Sequence, residues 1–282
     1  MGIETPLGES LRRICVESDH IVLAAPYIKA DALSRVVGEV NEDASLICIT
    51  RWQVEDITTG VSDLECYSII REIGGGFRLH PYLHAKYFRA DEHILIGSAN
   101  ITNSALGWAV EPNVEILCSP GPDFDAASFE ATLVEDSREI GNREFARWQS
   151  IEVMATQGQR SVFSKDSLYH LNAWRPMTRD PANLLLAYRG FYEEIASPDE
   201  LNAAKRDLDV LQLDHGLTGE DVENRISMAF LSTPFVQTVL QSRDTNITSI
   251  SRSLAEKYDL SVTDARRGIE AARNWFAFFL AD

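Results

Sequence analysis

The chain contains 282 residues, of which 45% are hydrophobic and 24% are charged, and this composition is typical of a globular protein. Its length allows one large domain or two modest domains, each with a buried core. The formal net charge of −17 opposes non-specific attraction to a polyanion, so any surface that binds nucleic acid must be a local basic patch.

The sequence predicts a cytoplasmic protein without a membrane anchor. Its first residues do not combine a basic region with an apolar core, and no window is long and apolar enough to span a bilayer. The four cysteines are far apart and form no C-x-x-C pair: Cys15, Cys48, Cys66 and Cys118. We therefore expect reduced thiols and no zinc site.

The first elements alternate between strands and helices. Residues 20–26 form a short apolar run closed by a proline, which predicts a buried strand, and residues 30–40 have the period of an amphipathic helix. Residues 46–50 predict the next buried strand, and residues 60–65 begin another helix. This alternation favours an α/β layer structure.

A polar hairpin follows these elements. Residues 83–88 and 93–96 predict two short strands, joined by a polar turn at residues 90–92. Side chains two apart on a strand share a face, so His84 and Lys86 are expected to point the same way.

The end of this hairpin adds three residues to the same region. Gly97 has no side chain and lets a backbone or a substrate approach closely, and Ser98 and Asn100 follow it. The set suits a phosphodiester, with His84 as nucleophile or general acid, Lys86 as a fixed positive charge, and Ser98 and Asn100 as hydrogen-bond donors. The alternative is an ordinary polar hairpin with a hydrogen-bonded histidine. The residue types do not indicate a metal site or a cofactor.

The spacing resembles the signature of the phospholipase D superfamily, which is H-x-K, four residues, D, about six residues and G-S-x-N. Here four residues separate Lys86 from Asp91, and five separate Asp91 from Gly97. Asp91 is interpreted as a turn residue that, with Gly97, supports the motif. The resemblance to bacterial nuclease-like members covers most of residues 15–120. It implies a mixed sheet flanked by helices over residues 1–154.

The resemblance also points to a glutamate beyond the hairpin. Members of the superfamily often carry N-x-E there, and Asn113-x-Glu115 matches it. By this resemblance Glu115 would hydrogen-bond an active-site imidazole and hold its tautomer. Glu111 is the competing candidate, and Glu115 as an ordinary exposed strand residue is the alternative interpretation.

The chain has a single H-x-K motif, whereas the superfamily builds its active site from two. The resemblance therefore implies a homodimer in which each subunit contributes one His84. One His84 would attack phosphorus to give a phosphohistidine, and the other would protonate the leaving oxygen, without metal or cofactor.

The resemblance implies a metal-independent nuclease that hydrolyses DNA or RNA, of the kind found in restriction or phage defence. Two alternatives stay open. One is a phospholipase D-type lipid phosphodiesterase, which a basic or amphipathic membrane face would favour. The other is a conditionally active subunit of a larger complex with an NTPase or helicase that feeds it nucleic acid.

The second half of the chain predicts a helical domain. A helical period begins near residue 123, and the linker at residues 155–159 separates domain 1–154 from domain 160–282. Prolines mark helix starts, with Ser197 and Thr233 as candidate caps. The predicted helices span residues 181–196, 199–213, 219–231 and 234–242.

The last segment, near residues 247–280, resembles a helix-turn-helix. Three arginines on its second helix are candidate nucleic-acid contacts: Arg266, Arg267 and Arg273. The alternative is an end helix whose apolar residues pack into the core or against a partner, namely Ile269, Ala272, Phe276 and Leu280.

Overall fold

The computed structural model describes residues 6–156, 174–213, 216–242 and 246–280. The chain divides into two compact units, Met1–Ile140 and Gly141–Asp282. The linker predicted at residues 155–159 lies partly outside the described residues. Its first two residues belong to a helix that ends at Thr156.

The N-terminal unit is built on a mixed sheet that has seven strands among the described residues. Its strands in chain order are β1 (His20–Ala24), β2 (Ser45–Thr50), β3 (Gly76–Leu79), β4 (Tyr87–Ala90), β5 (His93–Gly97), β6 (Leu117–Cys118) and β7 (Arg138–Glu139). Across the sheet the order is β6-β5-β4-β1-β2-β3-β7. Strands β1, β2 and β3 run parallel, and the remaining pairs are antiparallel.

Helices flank this sheet, which confirms the predicted fold class. They are α1 (Leu7–Val16), α2 (Ala30–Val37), α3 (Val54–Thr58), α4 (Glu65–Glu72) and α5 (Ala126–Glu135). Strand β1 is buried from Ile21 to Ala24 because it lies at the centre of the sheet. Helix α2 buries Leu33, Val36 and Val37, which recur at the spacing of one helix face.

The strand register decides which residues meet at one edge of the sheet. Ala24, at the end of β1, pairs with Ile49 near the end of β2 and with Tyr87 at the start of β4. The carboxyl ends of β1 and β2 therefore lie beside the start of β4. Residues that follow β2 and residues that precede β4 are brought to the same place.

The predicted strand at residues 83–88 is corrected to β4, which begins only at Tyr87. The chain leaves β3 through Pro81, which has no amide hydrogen, and the amide of Leu83 donates back to the carbonyl of His80 at 3.1 Å. A turn at Pro81 and Tyr82 therefore comes just before the predicted strand, and residues 83–86 lie outside the strands of the sheet. The strand predicted at residues 93–96 is confirmed and extends to Gly97.

The hairpin is fixed to helix α5 by one carboxylate. Glu130 accepts a hydrogen bond from the Tyr87 hydroxyl at 3.1 Å and a two-pronged bond from Arg89, whose Nη2 lies 2.8 Å away. The ring of Tyr87 also packs against Phe129, with 5.2 Å between centroids. Helix α5 thus holds the strand that follows the H-x-K motif.

The described part of the second unit is helical, as predicted, but the helix predicted at residues 181–196 ends at Tyr188. Its helices are α6 (Asn142–Thr156), α7 (Pro181–Tyr188), α8 (Pro198–Leu211), α9 (Glu220–Ser232), α10 (Pro234–Gln241), α11 (Ile247–Lys257) and α12 (Val262–Phe279), with a short 3₁₀ turn at Tyr192–Glu194. Ser197 caps α8 as expected, because its hydroxyl accepts from the amide of Glu200 at 3.3 Å. Thr233 does not cap α10 with its side chain; its hydroxyl donates to the carbonyl of Ala229 at 2.8 Å.

Candidate active site

The predicted site residues of the N-terminal unit flank the ends of three strands. His84 and Lys86 precede β4, Ser98 and Asn100 follow β5, and Glu115 precedes β6. Strand β5 lies between β4 and β6 and runs antiparallel to both. The start of β4, the end of β5 and the start of β6 are therefore neighbours, and all five residues flank the same edge of the sheet.

Ser98 and Glu115 are in direct contact. The Ser98 hydroxyl donates to the Glu115 carboxylate and accepts from the amide of Ile116 at 3.1 Å. The carboxylate also accepts from the Asn113 side chain at 3.3 Å, so the N-x-E pair is joined internally. Glu111 is exposed. In this structure the Glu115 carboxylate bonds to Ser98 and Asn113, and its expected hydrogen bond to an active-site imidazole stays a prediction.

Gly97 is required by a close approach of two backbones. A Cβ atom at this position would lie 1.9 Å from the Ile116 carbonyl oxygen and 3.2 Å from the Cα of Leu117. The amide of Ser98 donates to the same carbonyl at 3.0 Å. The glycine therefore lets β6 approach β5, and this approach brings the Glu115 carboxylate within hydrogen-bond distance of the Ser98 hydroxyl.

Lys86 is half-buried and His84 is exposed. The Lys86 ammonium donates to the backbone carbonyl of His84 at 2.9 Å. Burial lowers the pKa of Lys86; the negative charge of Glu115 opposes this shift, and the positive charge of Arg51 adds to it. The ammonium thus links Lys86 to the backbone of His84. Because both residues precede β4, the alternation of side chains along a strand does not determine their directions.

Asn100 is tied to the loop after β1. Its Oδ1 accepts from the amide of Tyr27 at 3.4 Å. With the oxygen engaged in this way, the side-chain Nδ2 is the atom that can donate to a ligand.

Asp91 lies at the other end of β4, away from the H-x-K residues. Its carboxylate accepts from the amides of Asp19 at 3.1 Å and His20 at 2.9 Å, and these bonds lower its pKa, with that from Asp19 foremost. Its own amide donates to the carbonyl of His20 at 2.9 Å. Asp91 therefore fastens the hairpin turn to the start of β1, and His93 beside it is also remote from the site.

Arg51 was not identified as a site residue from the sequence. It directly follows β2, where its Nε donates to Asp56 at 3.2 Å and its Nη2 to the Tyr27 hydroxyl at 2.8 Å. The signal that would have found it is positional, because ligands bind at the carboxyl ends of parallel strands. Arg51 and Tyr27 follow two such strands.

Titration of Lys86 gives a direct measure of this electrostatic arrangement. We expect its ammonium to titrate below the ordinary lysine value of 10.5. Glu115→Gln removes an attractive charge and should lower the pKa further, whereas Arg51→Gln removes a repulsive charge and should raise it. The measurement is NMR of lysine-labelled protein, with the resonance assigned by Lys86→Arg. A pKa that responds to neither substitution would contradict the arrangement.

The three candidate arginines of helix α12 have different surroundings. Arg266 pairs with Glu270 at 3.1 Å, and Arg267 donates to the carbonyl of Met177 at 3.4 Å within its own unit. Arg273 is exposed and has no hydrogen-bond or ion-pair partner among the residues that the structure describes. The helix buries Ile269 among other apolar residues, which is the packing that the alternative interpretation requires.

Within residues 6–156, 174–213, 216–242 and 246–280, no three His, Cys, Asp or Glu side chains are grouped as a metal site would require. In the same ranges, no helix has the length and apolar character needed to cross a membrane.

Known proteins were compared with the chain by sequence and by structure. No family model matches the chain, and no curated protein sequence matches it. Among solved structures it is similar to Nuc, a phospholipase D family member from Salmonella typhimurium, with 16% sequence identity and a TM-score of 0.37. The match covers 46% of this chain and 88% of that chain. The function is therefore argued from the residues of the site and not from this likeness.

Proposed function

We propose that the protein is a metal-independent phosphodiesterase of the phospholipase D superfamily, and that it hydrolyses DNA or RNA. The observation that carries this proposal is the grouping of the motif residues around adjacent strand ends, with Glu115 in contact with Ser98. A restriction or phage-defence role follows the sequence resemblance to bacterial nuclease-like members.

The proposed reaction has two steps. In the first, a nitrogen of one His84 attacks phosphorus, the bond to the leaving oxygen breaks, and the second His84 protonates that oxygen. In the second, water attacks phosphorus, the second His84 accepts the water proton, and the P–N bond breaks. Lys86 and the Nδ2 of Asn100 stabilise the charge on the non-bridging oxygens.

Ser98 needs a rearrangement to join them. Its hydroxyl proton is donated to Glu115 in this structure, so donation to a phosphate oxygen requires that bond to be released. In the proposed mechanism, Glu115 positions Ser98 before the substrate binds, and a phosphate oxygen then replaces the carboxylate as the acceptor of the hydroxyl proton.

A homodimer is part of the proposal, because one imidazole cannot be both the nucleophile and the acid in the same step. The residues around Glu115 support a second copy as the partner. Val110 and Val114 are fully exposed, and Ile116 is 65% exposed. Large apolar side chains exposed together beside a site are typical of an interface. We propose that a second subunit covers these side chains and contributes its His84 to the site.

The net charge of −17 favours delivery of nucleic acid by a further protein over capture from solution. We propose an NTPase or helicase as that partner. The exposed Arg273 on α12 is the candidate contact for nucleic acid in the second unit.

The experiment is cleavage of labelled single-stranded and double-stranded DNA and RNA in EDTA. We expect the wild-type protein to cut at least one of these substrates, and His84→Ala to reduce the rate by at least about 10³-fold because the nucleophile is lost. His93→Ala is the matched control, since His93 is exposed at the other end of the hairpin, and it should keep wild-type activity.

The same preparations test the homodimer by light scattering, which should give twice the mass of one chain. The pH–rate profile should be bell-shaped, because one His84 must start unprotonated and the other protonated. A fully active monomer, or cleavage by His84→Ala at the wild-type rate, would overturn the proposal.

A further inference from the structure

Arg51 is held rigidly at the edge where the motif lies. Its side chain is 16% exposed and pairs with Asp56, which is 10% exposed. The guanidinium also lies over the ring of Tyr27, 5.2 Å from the centroid. A guanidinium fixed by a carboxylate and an aromatic ring keeps its orientation without a bound ligand.

Tyr27 connects this arginine to the motif. Its hydroxyl accepts from Arg51 and its amide donates to Asn100, so one residue contacts both. The register of β1 with β2 and β4 places Arg51 and Lys86 beside the same strand end. The influence of Arg51 on the pKa of Lys86 agrees with this placement.

The hydrogen bonds of the guanidinium use only two of its three nitrogen atoms. Its Nε and Nη2 bond to Asp56 and Tyr27, while its Nη1 donates to nothing in the part of the chain that the structure describes. Arginine binds phosphate oxygens through such free N–H groups. In the proposed mechanism, Lys86 and Asn100 bind the phosphate that His84 attacks, which leaves Arg51 for a neighbouring anionic group.

We infer that Arg51 forms a second phosphate-binding position, which binds the phosphate next to the scissile phosphodiester in a nucleic acid strand. This inference rests on the proposed function. Tyr27 and Asp56 are the positioning residues of this subsite. The alternative is that Arg51 only stabilises the loop after β2.

The experiment measures binding, so it does not depend on turnover. Three dinucleotides with a non-cleavable phosphonate linkage are titrated by calorimetry: one with a 5′-phosphate, one with a 3′-phosphate and one with neither. The proteins are the wild type, Arg51→Ala, Arg51→Gln and Arg13→Ala. Arg51→Gln retains an amide that can donate to Asp56, which protects the fold. Arg13 is an exposed arginine of α1 and serves as the charge control.

One terminal phosphate should tighten wild-type binding about tenfold, which corresponds to about 1.4 kcal/mol. Both Arg51 variants should bind all three dinucleotides equally, and Arg13→Ala should behave as the wild type. The inference is overturned if neither terminal phosphate improves wild-type binding, or if the improvement persists in a folded Arg51 variant. Binding without cleavage of ordinary DNA or RNA would overturn the proposed function alone.

Discussion

Gly97→Ala should reduce cleavage by about 100-fold, because the added methyl group would separate two adjacent strands. The new Cβ would lie 1.9 Å from the carbonyl oxygen of Ile116 and 2.8 Å from its carbonyl carbon. Both contacts are with backbone, so a side-chain rotation cannot relieve them. Strand β6 must move outward, and Glu115 moves with it, away from Ser98.

The fold should survive this change. Strand β6 has two residues and lies at the edge of the sheet, so its displacement leaves the central strands intact. We expect a loss of about 1 to 3 kcal/mol in unfolding free energy, the usual cost of overpacking. Hydrogen exchange should show faster exchange at the amide of Ile116, which loses its bond to Ser98.

Gly121→Ala is the matched control, because a Cβ at Gly121 meets no atom within 4 Å. It should retain wild-type activity and exchange rates. Wild-type protection of Ile116 in Gly97→Ala would show that the strands tolerate the methyl group. The role assigned to Gly97 would then be wrong.

Local sequence pattern was sufficient for the elements whose burial is continuous. Strands β1 and β2 are apolar runs in the middle of the sheet, and their observed bounds lie within two residues of those predicted. The segment before β4 was misassigned because residues 83–86 alternate between apolar and polar side chains, although they lie outside the strands of the sheet. The turn at Pro81 and Tyr82 comes just before this segment, and the periodicity of the side chains does not reveal it.

The contact between Ser98 and Glu115 could not be predicted from the local sequence pattern. The motif gave both residues, but their contact depends on β6 pairing with β5 across a loop of about twenty residues. The site role of Arg51 was even harder to predict, because its neighbours include a residue that follows β1 and a residue that precedes β4. Only the strand order reveals them, and a lone arginine after a strand has no distinguishing spacing.

Helix α12 shows the same limit in the second unit. The sequence places Arg267 on the helix that resembles a recognition helix, but the folded chain engages it with the carbonyl of Met177, 90 residues earlier. An arginine's availability depends on such distant backbone atoms. Periodicity does predict the buried face, and Ile269 and Ala272 lie on it.

Asp207→Ala should cost about 3 to 5 kcal/mol of unfolding free energy, because it leaves several core donors without an acceptor. Asp207 is 1% exposed. Its carboxylate accepts from the Trp174 indole at 3.0 Å, the Met177 amide at 3.0 Å, and the amide and hydroxyl of Thr178 at 2.8 and 2.6 Å. This one side chain joins helix α8 to the segment that precedes α7.

Asp209→Ala is the matched control on the same helix, since Asp209 is exposed and its loss should change the unfolding free energy by less than about 0.5 kcal/mol. Urea unfolding of both variants measures the difference. If Asp207→Ala were as mild as the control, the carboxylate would not organise the core.

The pH dependence gives an independent check on Asp207. Burial raises its pKa above the ordinary value of 3.8, although the bonds from Thr178, Trp174 and Met177 oppose the shift. The folded state therefore holds this proton to higher pH than the unfolded state does. By linkage, the contribution of Asp207 to stability is greatest below pH 3.8 and falls as pH rises through the raised pKa. Asp207→Asn removes this titration, so the wild type should lose stability relative to Asp207→Asn as pH increases. A difference that grows in the opposite direction would mean that the hydrogen bonds outweigh burial and lower the pKa of this carboxyl.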